Sequence, residues 1–227
     1  MKPVPVRAVH AIEQESYAIL RAQLAERYPS VGAWPPLARA VLERVVHASA
    51  DLEYAADLVL PDEGVLAGAV EALRGGAAIV ADVAMVAAGI TARPALCRIS
   101  DPRAAQLAGA AGRTRSAAAL RLAAAEAGPG AVYVIGCAPT ALFELIEHAE
   151  EFQPRLVIGL PVGFVGAVES KRALRERADL PSVSNVSGKG GSAVAAAALN
   201  ALLYQEIMLY QDTAGIDTVD FDQEAVR

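Results

Sequence analysis

The spacing of apolar positions along the chain changes near residue 56. Before that point, residues 12–27 carry apolar side chains at helical intervals, which predicts an amphipathic helix. Pro35-Pro36 opens a second predicted helix over residues 37–51, because proline is favoured in the first turn of a helix. The apolar side of the first helix comprises Ile19, Leu20 and Leu24.

From residue 56 onward, short apolar runs alternate with longer stretches of helical spacing. This alternation predicts βαβ units and therefore a three-layer α/β fold, with a mostly parallel sheet covered by helices on both faces. Without an internal repeat or a linker, residues 1–204 are predicted to form a single domain, and the acidic residues 205–227 a peripheral extension. The predicted strands are 56–60, 77–82, 94–99, 131–136, 155–160 and 182–186, and the predicted helices are 64–74, 102–127, 139–151, 166–177 and 191–204.

The predicted sheet also indicates where a ligand would bind. Ligands of open α/β sheets lie beyond the carboxyl ends of the strands. The residues that follow the predicted strands include aspartates and turns rich in Gly and Pro, which allow the backbone to approach a ligand closely. They are Asp82, Asp101 and the turns 136–140, 160–167 and 187–192.

Composition and charge exclude several classes of function. Only 5% of residues are aromatic and the net charge is −6, whereas nucleic-acid binders use stacking platforms or basic stripes. Cys97 and Cys137 form no CxxC motif and are predicted to be free thiols in a reducing cytosol. The charged N-terminus is unlike a signal peptide and no apolar run is long enough to span a bilayer, so we expect a cytoplasmic protein without a membrane partner.

Two segments are candidate anion sites. Residues 187–192, SGKGGS, present successive N–H groups at a predicted helix N-terminus, which suits a carboxylate or a phosphate. The segment lacks the GxxxxGK[ST] pattern of a P-loop, and a plain strand-to-helix turn is the alternative. Residues 112–118, GRTRSAA, place two guanidiniums and two hydroxyls at a helix start. These groups suit a carboxylate clamp, or else form a capped helix with solvated arginines.

Among the three histidines, His47 is the candidate acid–base residue. At about 100° per residue, it falls opposite the apolar face of its helix, on the side of Glu43 and Arg44. Glu43, one turn earlier, is placed to pair with the imidazole and favour its charged form. A solvated surface histidine is the alternative, and a functional role requires this face to line a cleft or a subunit interface. By contrast, His148 near a helix end is interpreted as structural, and Cys137 as a small buried thiol unless a base lies nearby.

Several segments, in this order and at these spacings, resemble one family. They are ESYAIL, RVVHASAD, IVADVAMVAAGI, TRSAA, APTALFELIE, VIGLPVGFVGAVESK and GKGGSAVAAAALNAL, and together they cover nearly the whole chain. The family is the precorrin-8X methylmutases, also found as cobalt-precorrin-8 methylmutases, of cobalamin biosynthesis. The pairing of PVGFVGAxESK with PTALF is the most specific part of the resemblance.

The resemblance implies an isomerase that moves a methyl group from C11 to C12 of a corrinoid macrocycle and yields hydrogenobyrinate or its cobalt form. It also implies a homodimer with a flavodoxin-like fold, a reaction that consumes no organic cofactor, and no metal site in the protein. The catalytic acid implied by the family motif is His47. The implied substrate-binding residues are Ser16, Thr114, Arg115, Ser116, Lys171, Gly188, Lys189, Gly190, Gly191 and Ser192.

The chemistry agrees with this set of residues. A methyl shift is unimolecular, so it needs no nucleophile. Protonating the conjugated ring makes the migration terminus more electron-poor. A well-placed general acid increases the rate of a reaction roughly 10²–10⁴-fold. One alternative is a corrinoid carrier without turnover, because Cys137 and Ala84 replace the Asn and the acidic residue usual in the family. Another is a nucleotide-binding protein that uses residues 187–192, although no GxGxxG follows the first strand. The sequence leaves open whether the substrate carries cobalt.

Overall fold

The computed structural model describes residues 11–214, in which eleven α-helices surround one five-stranded sheet. A 3₁₀ turn over Pro29–Ala33 connects the first two helices. The strands are β1 (Leu58–Val59), β2 (Ile79–Ala81), β3 (Val132–Ile135), β4 (Leu156–Gly159) and β5 (Ser182–Asn185). The helices are α1 (Ala11–Arg27), α2 (Pro36–Ser49), α3 (Tyr54–Asp57), α4 (Glu63–Arg74), α5 (Ala84–Gly89), α6 (Pro102–Ala111), α7 (Arg115–Ala127), α8 (Pro139–Glu147), α9 (Ala149–Phe152), α10 (Ala167–Glu176) and α11 (Ser192–Ala214).

The sheet is mostly parallel, as predicted. Its strand order is β1-β5-β4-β3-β2, and only the pairing of β1 with β5 is antiparallel. On the far side of β2, a single parallel bridge joins Val80 to Leu96. Flavodoxin-like sheets have the strand order 2-1-3-4-5. The same order results here when β2 is counted as the first strand, Leu96 as the second, and β3, β4 and β5 as the third to fifth. The second strand is thus reduced to one residue. The predicted flavodoxin-like fold is therefore confirmed.

The prediction of a strand over residues 94–99 is wrong. Leu96 alone pairs with β2, through two backbone hydrogen bonds of 2.7 and 2.9 Å. Pro94 has no N–H group to donate to a ladder, and Arg98 turns its side chain to Glu126 of α7, with Nε 2.9 Å from Oε2. The segment therefore crosses the edge of the sheet instead of extending it.

Side chains of the strands alternate between two apolar cores, one on each face of the sheet. Ile79 and Ala81 of β2 belong to one core, whereas Val80 belongs to the other. Buried residues of α1, α2, α4 and α11 complete the first core, and those of α7, α8 and α10 complete the second. This alternation with a period of two residues confirms the three-layer architecture.

Several predicted helix and strand boundaries need correction. The helix predicted over 102–127 is two helices, because Gly112 adopts a left-handed φ of 61° that ends α6. The helix predicted over 139–151 breaks at His148. Of the strand predicted over 56–60, the first two residues belong to α3 and only Leu58–Val59 form β1. Helix α11 continues through residue 214, past the predicted start of the extension, and residues 215–227 lie outside the described part of the chain.

The packing of α1 and α2 determines where the candidate histidine lies. Helix α2 packs on α11, and α1 packs mainly on α2 and the 3₁₀ turn. Ser16 on α1 and His47 on α2 therefore lie on neighbouring helices. No helix within residues 11–214 combines the length and the apolar character needed to cross a bilayer.

Candidate active site

His47 is held from the α1 side by two residues of the ESYAIL segment. Ser16 Oγ lies 3.1 Å from His47 Nδ1. The ring of Tyr17 stacks on the imidazole, with centroids 4.8 Å apart and planes inclined by 10°. His47 itself is exposed, and its Nε2 has no hydrogen-bond partner among residues 11–214. The edge of the ring that carries Nε2 is therefore available to a ligand.

The exposed face of His47 opens into a cleft of about 340 Å³ between α1 and the end of α2. The predicted requirement that this polar face line a cleft is thus met. The lining combines apolar side chains with a few polar groups, which is typical of small-molecule sites. The lining residues are Ile12, Glu15, Ser16, Ile19, Leu20, Gln23, Val46, His47, Ala50 and Leu52.

The contact with Ser16 restricts the states in which His47 can carry its proton. In the neutral imidazole, a Ser16 hydroxyl that donates to Nδ1 leaves the ring proton on Nε2. In the imidazolium, Nδ1–H donates to Ser16 Oγ and Nε2 is again protonated. In these two states Nε2 carries a proton, as a proton or hydrogen-bond donor must; in the third, a neutral ring whose Nδ1–H donates to Ser16 Oγ, Nε2 is an acceptor.

The expected pairing of Glu43 with His47 is wrong. The Glu43 carboxylate is buried, and its Oε2 accepts from Arg21 Nε at 2.9 Å while Oε1 lies 3.6 Å from Arg39 Nε. Two guanidiniums compensate the buried charge because a carboxylate without a partner is costly to bury. Glu43 therefore stabilises the packing of α1 on α2 instead of charging His47.

Arg44 supports His47 indirectly through Tyr17. Its Nη1 donates to the hydroxyl of Tyr17 at 3.3 Å and to Glu13 Oε1 at 3.1 Å. Burial raises the pKa of Tyr17, and the charge of Arg44 acts in the opposite direction. Tyr17 therefore remains a neutral phenol whose ring is fixed against the imidazole.

A second group of predicted site residues lies at the carboxyl edge of the sheet. Loops that follow different strands contact one another there, so the N-termini of α7, α8, α10 and α11 lie at one edge. Helix N-termini carry free N–H groups and partial positive charge, which favours anions. The joining contacts are Thr114 Oγ1 to Thr140 Oγ1 at 2.7 Å, Gly163 N–H to Gly188 O at 3.2 Å and Gly191 N–H to Leu160 O at 2.9 Å.

The TRS segment begins α7, in agreement with the prediction of a helix start there. Thr114 is the N-cap, and its Oγ1 accepts from Ala117 N–H at 3.3 Å. Arg113 is paired with the buried carboxylate of Glu144. Arg115 is exposed and has no carboxylate partner in the described part of the chain. Of the two guanidiniums predicted to clamp an anion, Arg115 is therefore the one whose charge is not paired with a carboxylate of the described residues. Ser116 is half-buried and follows Arg115 in the first turn of α7.

Lys189 connects the loop after β5 to the end of α2. Its Nζ lies 2.8 Å from Asp51 Oδ2 and is also paired with Glu53. Hydrogen bonds from the ammonium to these two carboxylates raise the pKa of Lys189. The positive charge that the sequence places in this loop is therefore balanced by residues just beyond α2.

Lys171 lies beneath the same loop and is fully buried. Its ammonium donates to Asn185 Oδ1 at 2.8 Å, to Lys189 O at 2.7 Å and to Ser187 O. Burial lowers the pKa of Lys171 to about 8, although the charge of Asp57 raises it. The structure thus places the Lys171 ammonium inside the protein, where it supports the loop.

The strand order reverses between β2 and β3, and ligands of open α/β sheets bind at such a reversal. In this protein the carboxylate of Asp82 occupies the position. Asp82 accepts N–H groups of Gly136 at 3.2 Å and of Cys137 and Ala138 at 2.8 Å each. Burial raises the pKa of Asp82, although these hydrogen bonds lower it. Burial and the charge of Asp82 both raise the pKa of Cys137, which disfavours the thiolate that a nucleophile requires.

Glu144, Glu147 and His148 lie close enough together to be considered as metal ligands. Glu144, however, is already bound by Arg113 and Arg121. These guanidiniums neutralise the carboxylate that a cation would need. The interpretation of His148 as structural agrees with this position beside an ion-pair network.

A family model of precorrin-8X methylmutase matches residues 11–205 of this chain. The chain belongs to the precorrin-8X methylmutase family. It is 39% identical to the cobalt-precorrin-8 methylmutase of Salmonella typhimurium, over 88% of this chain and 96% of that enzyme. It is 40% identical to the precorrin-8X methylmutase of Sinorhizobium sp., over 87% and 95% of the two chains. The crystal structure of the Thermus thermophilus precorrin-8X methylmutase superposes with a TM-score of 0.72, at 33% identity, over 90% of this chain and 99% of that one.

In this methylmutase, the predicted site residues occupy two regions. Ser16 and His47 line the cleft, and none of the edge residues does so. The regions are joined by Lys189, whose partner Asp51 lies just beyond α2. The edge region contains Thr114, Arg115, Ser116, Gly188, Lys189, Gly190, Gly191 and Ser192, with Lys171 beneath it. Their contacts with a substrate remain predictions.

Sequence reasoning missed the residues that support this site. Tyr17 and Asp51 stand in ordinary helical and turn contexts. Asn185 did carry a signal, because asparagine is depleted in strands and a buried one needs partners for its amide. Its partners, Lys171 and Asp57, come from α10 and α3, so the arrangement follows from the fold and not from local sequence.

Proposed function

We propose that this methylmutase moves a methyl group from C11 to C12 of precorrin-8X or of its cobalt form, giving hydrogenobyrinate or cobyrinate. The observation that carries the proposal is the cleft in which Ser16 and Tyr17 fix His47 with its Nε2 edge free. Relatives named with and without cobalt match at similar identity. The shared periphery of the two substrates, and not the metal, is therefore what these residues are proposed to recognise.

His47 is proposed as the general acid. A proton given by Nε2 to the conjugated macrocycle draws electron density from the position that accepts the methyl group. A well-placed acid contributes roughly 10²–10⁴-fold to a rate. The bond that forms at C12 and the bond that breaks at C11 belong to one molecule, so no leaving group has to be captured. The proton returns to Nε2 when the product is released.

The edge region is proposed to bind the peripheral carboxylates of the macrocycle. The protein has a net charge of −6, so binding a polyanion requires locally favourable groups. Arg115 supplies a charge without a carboxylate partner in the described residues, and Thr114 and Ser116 supply hydroxyls. The loop after β5 supplies the N–H groups of Gly188 and Gly190, whereas those of Lys189 and Gly191 are bonded within the protein. Charge-assisted hydrogen bonds of this kind are roughly twice as strong as neutral ones.

Apolar side chains beside the edge region suit the faces of the ring. Phe164 is fully exposed, Val165 is largely exposed, and Val162 and Val186 are about half exposed. They lie in or next to the loops that contain Gly163 and Gly188, which are hydrogen-bonded to each other. A flat ligand with an apolar face and an anionic rim would bury these side chains while its carboxylates meet the helix N-termini.

We further propose that the enzyme acts as a cytoplasmic homodimer. The free thiols Cys97 and Cys137 suit a reducing compartment. A cleft of about 340 Å³ is at the small end of ligand sites, so a corrinoid would extend beyond it and leave a part that a second subunit would cover. Light scattering of the purified protein should give about twice the chain mass of 23.5 kDa; a value near the chain mass contradicts the dimer.

The test of the reaction uses purified protein and precorrin-8X under anaerobic conditions. Moving the methyl group changes the conjugation at C11, so the absorption spectrum should shift while the mass of the corrinoid stays constant. His47→Ala should slow the shift by roughly 10²–10⁴-fold, the range of general-acid catalysis. His148→Ala is the matched control, because His148 lies in an ion-pair network away from the cleft.

Two outcomes would reject this assignment. Absence of any spectral shift with wild-type protein, when an active methylmutase gives one in the same assay, rules out the activity. Equal turnover by wild type and His47→Ala rules out His47 as the acid. Tight binding of hydrogenobyrinate without turnover would instead indicate a corrinoid carrier.

A further inference from the structure

The Lys171 ammonium makes a set of hydrogen bonds with a consequence for the loop after β5. It donates to the carbonyl oxygens of Ser187 and Lys189, two alternate peptide units of SGKGGS. Both carbonyls therefore point inward, toward a fully buried cation. A buried charge persists only where such partners compensate it, so the loop and Lys171 depend on each other.

Inward carbonyls direct the N–H groups of the same peptide units outward. A trans peptide unit is planar, and its C=O and N–H groups point in opposite directions; the chain contains no cis peptide bond among its described residues. The N–H groups paired with these carbonyls belong to Gly188 and Gly190. Neither has a hydrogen-bond partner within residues 11–214. Two outward N–H groups, two residues apart, form a receptor for an anionic oxygen.

Both positions require glycine for steric reasons. Gly190 has a φ of 147°, and a Cβ there would collide with the backbone oxygen of Leu160. At Gly188 a Cβ would lie 2.9 Å from Gly163 O. The absence of side chains also leaves the outward face of the two peptide units open. The loop is thus pressed against the 160–166 turn on one side and held by Lys171 from below.

Asp57 balances the buried charge from the opposite side. Its carboxylate accepts from Asn185 Nδ2 and Ser187 Oγ at 2.7 Å each, and from the N–H groups of Ser187 at 2.8 Å and Val186 at 3.1 Å. Asn185 bridges the two ions, because its Oδ1 accepts from Lys171. The net charge of this Lys171–Asn185–Asp57 relay is zero, so it orients the loop without adding a negative field that would repel an anion.

We propose that Lys171 and Asp57 are positioning residues that hold the Gly188 and Gly190 N–H groups toward a peripheral carboxylate of the substrate. The inference rests on the proposed function of the edge region, and it assigns to Lys171 a role beneath the loop instead of a direct contact. Loss of either residue lets the peptide units rotate. The carboxylate then loses two oriented donors, while His47 and the cleft are unchanged.

Steady-state kinetics of Lys171→Met and Asp57→Asn test the proposal. Each variant should raise KM at least about fivefold, as expected for losing hydrogen bonds to a charged group, and leave kcat within about twofold because the loop is not at the reacting carbons. Arg172→Met is the matched control, since Arg172 is the exposed neighbour of Lys171 on α10, and it should leave both constants unchanged.

Binding of the product provides a readout independent of turnover. Hydrogenobyrinic acid and its fully methyl-esterified form are titrated into each protein, and the ratio of their dissociation constants is compared. Wild type should prefer the acid, and both variants should reduce that preference by at least about threefold, whereas a general loss of folding weakens both ligands alike. Circular dichroism and thermal melting identify a variant that does not fold. If Lys171→Met does not fold, the result with Asp57→Asn decides, because asparagine keeps the shape of the aspartate side chain.

Three results would overturn the positioning role. They are wild-type KM values in both folded variants, a fall in kcat without a rise in KM, and an unchanged preference for the acid over the ester. Failure of the isomerase itself is recognised separately, because the wild-type spectral assay would then be silent while the acid-to-ester preference could still be measured.

Discussion

The Nζ of Lys189 and the Oδ2 of Asp51 form a 2.8 Å ion pair that joins the loop after β5 to the chain just beyond α2. Because Asp51 lies four residues after His47, this pair connects the two regions of the candidate site within one chain. The pair also neutralises the charge of the Lys189 ammonium within the protein. Glu53 binds the same ammonium, so little of that charge is left for an anionic ligand.

Arg115 should therefore contribute more to substrate binding than Lys189. We expect Arg115→Met to raise KM by about fivefold or more, because its exposed guanidinium is free to form charge-assisted bonds, whereas Lys189→Met should raise KM less than about threefold. The measurement is KM at two ionic strengths, since screening weakens exposed charge pairs. A larger effect at Lys189 than at Arg115 would contradict the assignment.

Replacing Ser16 should affect catalysis through the protonation of His47. In Ser16→Ala the Nδ1 atom loses the hydroxyl at 3.1 Å, which as a donor favours the neutral tautomer with Nε2–H and as an acceptor stabilises the imidazolium. One neutral hydrogen bond contributes about 1 kcal/mol, so kcat should fall about fivefold with little change in KM. Ser100→Ala, in an exposed turn, is the control. An unchanged kcat in Ser16→Ala would show that Ser16 does not set the tautomer.

The ring of Tyr17, and not its hydroxyl, should matter most to His47. Tyr17→Phe keeps the stacking at 4.8 Å and should retain most activity, whereas Tyr17→Leu should lower kcat about three- to tenfold, in line with stacking energies of roughly 0.5–1.5 kcal/mol. Comparing the two variants by kcat at saturating substrate separates ring from hydroxyl. Equal losses in both would assign the effect to the bond with Arg44.

Alkaline pH should act on the loop through Lys171. Its folded pKa of about 8 lies below the ordinary lysine value, so between these two values the unfolded chain binds more protons and the free energy of unfolding from this group rises with pH. The facing charges are Asp57, which raises the pKa, and Arg175, which lowers it. Deprotonation simultaneously removes a donor from the loop carbonyls.

The two effects have opposite signs, which makes them easy to recognise. Above a pH of about 8, KM should rise while the thermal stability contributed by Lys171 increases. Both trends should be absent from Lys171→Met, measured by parallel kinetics and melting between neutral pH and the ordinary pKa of lysine. A rise in KM that persists in Lys171→Met belongs to another group.

Gly190→Ala tests the steric requirement of the loop. With φ at 147° and the backbone of Leu160 in the way, we expect a loss of roughly 1–3 kcal/mol in the free energy of unfolding, the usual cost of a strained backbone. Gly109→Ala, in an exposed part of α6 with no atom within 4 Å of the new Cβ, should stabilise by up to about 1 kcal/mol. Chemical denaturation of both proteins measures the contrast, and a neutral Gly190→Ala contradicts the geometry.

Local sequence signals were sufficient for the layers of the fold and for the position of the loops. Val and Ile runs between Gly and Pro turns determine which segments are strands, and parallel order then places their carboxyl ends together. The strand over residues 94–99 failed because Pro94 at its start has no N–H to donate and Arg98 near its end is bound to Glu126 of α7. The spacing of apolar residues alone does not show either of these causes.

Charged partners were the part that sequence could not supply. Glu43 was expected to pair with His47 one turn away, but Arg21 of α1 reaches it across the helix interface. The bonds of the Lys171 ammonium to Asn185 and to the loop carbonyls were not predicted either. In both cases the competing partner is distant in sequence, and only the packed helices bring it within reach.

The relay beneath SGKGGS also limits how the loop can be engineered. Its outward amides depend on side chains from α3, α10 and β5 and on the backbone of the 160–166 turn. Grafting the six residues onto another α/β protein would therefore transfer the sequence of the loop without its conformation. A transplant must carry Asp57, Lys171 and Asn185 as one unit, and a designer who neutralises one ion of the relay must neutralise the other as well.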